Sequence, residues 1–138
     1  VKKTIAAAAL LAVLVTVAGC ATKGPSDLEM VQSATNTFVQ GLVTKNPDAA
    51  MTVVSPDFYH PDAGDKAGVR NFIADAIDAG YLDYAEADMT AVDYTIEGDK
   101  ASVYPIVLNT AAGSATLGLE LTKTDGAWMV SGMDVEGV

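Results

Sequence analysis

The chain has 138 residues, half of them hydrophobic, with 8 basic side chains against 18 acidic ones and a formal net charge of −10. That balance excludes a nucleic-acid partner, because phosphate recognition needs a basic footprint. A single histidine and a single cysteine exclude zinc and iron centres built on those ligands, and leave no intrachain disulfide.

Read from the start, Lys2 and Lys3 precede an uncharged run, Ile5 to Ala18, of 14 residues rich in Ala, Val and Leu. A membrane span needs about 20 apolar residues, so the run reads as a signal segment. It ends on Val17-Ala18-Gly19-Cys20, and Cys20 is the one cysteine. This order resembles a bacterial lipoprotein signal peptide with its lipobox. The resemblance implies cleavage between Gly19 and Cys20 and acylation of Cys20, which becomes the membrane anchor. Stable anchoring takes more than one acyl chain, as a diacylglyceryl group plus an N-acyl chain supplies. Residues 1–19 are then the signal, residues 20–25 the lipidated cysteine and tether, and residues 26–138 the domain. The lack of Asp at Ala21 implies, by the same resemblance, the periplasmic face of the outer membrane. What remains after cleavage is roughly 120 residues, enough for one domain, and it is more acidic still.

The first helix starts at Ser26, since Ser26-Asp27-Leu28-Glu29 has the form of a capping box. Leu28, Val31, Thr35, Phe38 and Leu42 follow at helical spacing. Asn46-Pro47 ends this helix, and Asn46 caps a second, shorter one with Pro47 at its first position. Phe58-Tyr59-His60 is a short extended piece, closed by Pro61-Asp62-Ala63-Gly64. Asp65 caps a third helix with a stripe of Val69, Phe72, Ile73, Ala76 and Ile77, and Gly80 stops it. From here the period changes from about 3.6 to 2. Thr90-Val92-Tyr94-Ile96, Ser102-Tyr104-Ile106-Leu108 and Ala115-Leu117-Leu119-Leu121 each alternate. Thr124-Asp125-Gly126 is a hairpin signal, and a last strand opens at Trp128-Val130. Pro105 interrupts its strand and marks an edge, bulge or bend. Three helices before a four-stranded meander predict an α+β fold, with helices packed on one face of a mainly antiparallel sheet.

This order of elements resembles the nuclear transport factor 2-like superfamily, which includes ketosteroid isomerases, cyclases of the SnoaL type and binding domains without catalysis. The resemblance rests on the first helix, on Lys45-Asn46-Pro47-Asp48-Ala49-Ala50, on Ser55-Pro56-Asp57-Phe58, on Gly68-Val69-Arg70-Asn71-Phe72-Ile73 and on the closing meander. It implies a curved sheet wrapped around a long helix, forming a cone that can hold a ligand at its open end. In the isomerase branch an aspartate directly before a proline acts as general base; the matching dipeptide here is His60-Pro61. That branch also uses a tyrosine on the first helix as oxyanion donor. The matching residue here is Phe38, which has no proton to donate, and this argues against isomerase chemistry. Tyr104 and Asp93 are candidates for a second donor from the sheet.

The candidate pocket residues are therefore Phe38, Tyr59, His60, Tyr104 and Trp128, with His60 the candidate base. The blander reading of His60 is a polar loop residue. Asp57, Asp62 and Asp65 lack the spacing of a calcium loop, and no cofactor is expected. Three functions follow. The favoured one is a lipid-anchored cell-envelope binding or accessory protein for a small apolar ligand, without catalysis. The second is a small isomerase-like or cyclase-like enzyme using His60. The third is a structural lipoprotein that dimerises or docks a partner through the outer sheet face.

Overall fold

A computed structural model describes residues 24–137, so the signal segment and Cys20 lie outside the described residues. The elements run α1 (Asp27–Val43), α2 (Pro47–Met51), α3 (Lys66–Asp78), β1 (Glu86–Asp88), β2 (Asp93–Glu97), β3 (Lys100–Thr110), β4 (Gly113–Thr124) and β5 (Ala127–Glu136). Each helix begins at the expected cap. The Ser26 hydroxyl accepts from the Glu29 N–H, the Asn46 side chain from the Ala49 N–H and the Asp65 carboxylate from the Gly68 N–H. These bonds satisfy backbone donors that have no partner inside the helix. Gly80 takes a φ of +81 just beyond α3, the left-handed conformation that glycine enters without a steric penalty.

The sheet is antiparallel throughout and has five strands rather than the expected four. β3, β4 and β5 form a meander, while β1 and β2 both pair with β3 along its other edge. β1 is three residues long, too short to show a period. At the β4–β5 turn Asp125 and Gly126 both take positive φ, as a type I′ turn requires. The free edge of β5 is covered by the chain after α2. Val130 N–H donates to the Val53 carbonyl, and Ser55 N–H donates to the Val130 carbonyl. Covering that row of backbone groups removes a template for pairing between molecules.

Two register shifts bend the sheet. One lies between Val103 and Ile106, at Tyr104-Pro105; the other places Ser131 as an extra residue opposite the Glu120–Leu121 step. Each re-phases its strand. In β3, Ala101 and Val103 face inward, and after the shift Ile106 and Leu108 do. The continuous Ser102-Tyr104-Ile106-Leu108 face is therefore corrected: Ser102 and Tyr104 point out. In β5, Trp128 and Val130 face inward, then Met133 and Val135.

α1 packs on β5 and β2, and the core forms where its stripe meets the sheet. Val31, Phe38 and Leu42 from α1 and Val69 and Ile73 from α3 lie against Val103, Ile106, Leu117, Leu119, Leu121 and Val130. Two residues of the expected stripes are exposed: Leu28 at 43% and Phe72 at 49%. Among the described residues no helix is long and apolar enough to cross a membrane.

Candidate functional site

α3 lies across one end of the sheet without closing on it. Its inner face, the turn that follows and the β3–β4 hairpin enclose a cavity of about 640 Å³ that opens to solvent. Phe72, Ile73, Ala76 and Ala79 form the helix wall, Tyr81 and Leu82 the turn, and Leu42 closes the α1 side. Leu108, Leu117, Met133 and Val135 form the floor from three successive strands, and Thr110, Ser114 and Ala115 the hairpin end. The floor residues share a face because Leu117 lies opposite both Ile106 on β3 and Val135 on β5.

The turn over the mouth is pinned from two sides. The Asp83 carbonyl accepts from the Ala111 N–H at the hairpin tip at 2.9 Å, and its carboxylate pairs with Lys45 just past the end of α1. The end of α1, the turn and the β3–β4 hairpin are thus tied together around the opening.

None of the five residues expected to line a pocket lines this one. Phe38 is fully buried at the α1–sheet interface. Trp128 is buried at the far end of the sheet, where its indole N–H donates to Asp27 at 3.0 Å. Tyr104 is on the outer face, 48% exposed, because of the shift at Pro105. Tyr59 is 68% exposed in the loop before α3. His60 is half-buried in the same loop, and its Nδ1 accepts from the Asp62 and Ala63 N–H groups at 3.1 and 3.2 Å. That nitrogen's lone pair is committed to holding its own turn. Asp65 spends its carboxylate on the α3 cap, and among the described residues no three His, Cys, Asp or Glu side chains converge as a metal site would need.

Sequence reasoning missed Phe72 as a lining residue, and with it Asp75, the one carboxylate in the lining among the described residues. Phe72 sits on the apolar stripe of α3 and reads as core. It stands in the middle of α3, six residues from either end, where no local signal separates a core residue from a pocket wall.

No protein-family model matches the chain, and no curated protein does. Solved structures match over most of its length. A protein of unknown function with a cystatin-like fold from Nostoc punctiforme is 13% identical with a TM-score of 0.64, covering 82% of this chain and 93% of that one. A nuclear transport factor 2-like protein of unknown function from Shewanella baltica is 16% identical with a TM-score of 0.61, covering 83% of this chain and 100% of that one. The fold is nuclear transport factor 2-like. A candidate dehydratase of that family from Streptomyces avermitilis is 17% identical with a TM-score of 0.62, covering 81% of this chain and 96% of that one. Identities this low speak for the nuclear transport factor 2-like fold and not for a shared activity.

Proposed function

We propose that this chain is a lipid-anchored cell-envelope protein that holds a small apolar molecule in the cavity between α3 and the sheet and does not transform it. The observation that carries the reading is the cavity itself: about 640 Å³, apolar walls and floor, and a rim pinned by Asp83. Its size lies within the range of small-molecule sites. Among the described residues its lining holds no histidine, lysine or arginine, and Asp75 is its one carboxylate, so no acid–base pair converges on a bound molecule.

A catalytic reading draws on the dehydratase candidate among the structural relatives. It would have to run through His60, which is held in its own loop and does not line the cavity. Docking through the outer sheet face would be favoured by an apolar face, but Thr95, Ser102, Glu120, Thr122 and Ser131 make the centre of that face polar. The anchor remains Cys20, with the tether entering at Ser26. The cavity sits by the other end of α1, about 25 Å away for its 17 residues. On this reading the membrane lies at one pole of the domain and the ligand at the opposite one, facing the periplasm.

Native mass spectrometry of the protein extracted from membranes tests both halves. The expected species begins at an acylated Cys20 and carries one small molecule that leaves on denaturation with its chemistry intact. Cys20→Ala should accumulate as unprocessed precursor without acyl label. A variant cut and labelled as before would overturn the anchor. A product whose formation depends on His60 would overturn the non-catalytic reading.

A further inference from the structure

Electrostatics at the cavity mouth are one-sided. Two helix C-termini end there: α1 at Val43, next to the lining Leu42, and α3 at Asp78, next to the lining Ala79. The carbonyl end of a helix carries partial negative charge, and cationic side chains are what normally stabilise it. Neither last turn holds a basic residue. α3 instead ends on Ala74-Asp75-Ala76-Ile77-Asp78, placing two acids where the helix disfavours them. A sequence that breaks a local rule of stability marks a place where something other than folding is served. Asp75 lines the cavity, is exposed, and takes part in none of the ion pairs among the described residues.

The cations of the described residues are disposed elsewhere. Lys45, the one beside the mouth, is bound to Asp83; Arg70 is bound to Asp48 and Lys123 to Asp27. Lys66 opens α3 at the end away from the mouth, and Lys100 opens β3 at the end away from the lining Thr110. At the mouth itself stand two aromatic side chains, Phe72 at 49% and Tyr81 at 55% exposure. Aromatic faces attract cations, most strongly alkylated ammonium groups that shed water easily.

We propose that the cavity is selective for amphiphilic cations, taking an apolar body against Leu108, Leu117 and Met133 and an amine or quaternary ammonium head at Asp75, Phe72 and Tyr81. This rests on the reading of the cavity as a binding site. An anionic amphiphile such as a fatty acid would meet two helix C-termini and the Asp75 carboxylate, while Lys45, the one cation beside the mouth among the described residues, is already bound to Asp83, so it is rejected.

Equilibrium dialysis of the full chain against dodecyltrimethylammonium, dodecanol and dodecanoate, each below its micellar concentration, separates the terms. The cation should bind one per chain and at least about tenfold tighter than dodecanoate. Asp75→Asn should cut that preference about fivefold or more. Glu97→Gln removes the same charge at the far end of the sheet and should leave the preference within about twofold. Dodecanoate binding as tightly as the cation, or Asp75→Asn acting no more strongly than Glu97→Gln, would overturn the selectivity. The cavity reading would still stand if dodecanol binding is lost in the cavity-filling variant Ala115→Phe. If no ligand binds in a manner that Ala115→Phe abolishes, the cavity reading falls, and the selectivity falls with it.

Discussion

Asp27 takes two hydrogen bonds on one carboxylate oxygen, from the Trp128 indole N–H and from the Lys123 ammonium, both at 3.0 Å. The indole bond and then the lysine hold its carboxyl below the ordinary value of 3.8. A depressed carboxyl contributes stability that is fully present above its unfolded pKa and is lost as pH falls through the folded one. The stability difference between wild type and Asp27→Asn should therefore be level at neutral pH and shrink below about pH 4, as read by urea midpoints across a pH series. A difference that persists unchanged to pH 2 would contradict that sign. Thr35 makes the opposite kind of prediction. It is fully buried on α1, and among the described residues its hydroxyl has no partner. Valine keeps the shape and removes the orphan group, so Thr35→Val should raise stability by about 0.5–2 kcal/mol. A loss of that size would mean the hydroxyl has an unseen partner. At this scale the sequence was most legible. Ser26, Asn46 and Asp65 were found as caps because a cap is a local arrangement of three or four residues. Trp128 was assigned to a pocket because nothing local shows that its indole would meet Asp27, 101 residues away.

Elements were legible where a period persisted. Leu117, Leu119 and Leu121 alternate over an uninterrupted stretch of β4, and all three are buried, with Glu120 turned outward. Leu119→Ala should cost about 2–5 kcal/mol; a loss below about 0.5 kcal/mol in chemical denaturation would contradict the register. The period failed where one residue shifted the phase. Pro105 re-aims β3, so Tyr104 reads as inward in sequence and stands outward in space. β1 escaped for the other reason, being three residues with no run to read. Gly41 shows how close packing overrides propensity. A glycine inside a helix costs about 1 kcal/mol relative to alanine, yet a Cβ there would sit 2.6 Å from the Ala50 Cβ and backbone nitrogen. That approach is what lets α2 fold back on α1. Gly41→Ala should lower stability by about 1–3 kcal/mol despite its better propensity, and a stabilised variant would show that α2 can move away.

On the scale of the whole molecule, the chain builds two poles. At one, Asp27, Lys123 and Trp128 fasten the start of α1 to the β4–β5 hairpin. At the other, α3, the Gly80–Asp83 turn and the β3–β4 hairpin surround the cavity. The fold could be read from the order of helices and strands, because each element carries its own pattern. The cavity could not, because its lining comes from segments between Leu42 and Gly137 that no local pattern connects. What a sequence pattern marks as apolar is the same for a core residue and for a pocket wall, and only the space between α3 and the sheet tells Phe72 from Phe38.

The central claim is that this space is a binding site for an apolar molecule. Titration of the full chain with the neutral fluorophore N-phenylnaphthylamine tests it most directly, in wild type and in two variants that fill the space from opposite walls, Ala115→Phe and Ala76→Leu. The prediction is saturable binding of one probe per chain in wild type. Each filled variant that keeps its Tm within about 5 °C should bind about tenfold weaker or more. Wild-type affinity in both folded variants, or no saturable binding in wild type, would contradict it.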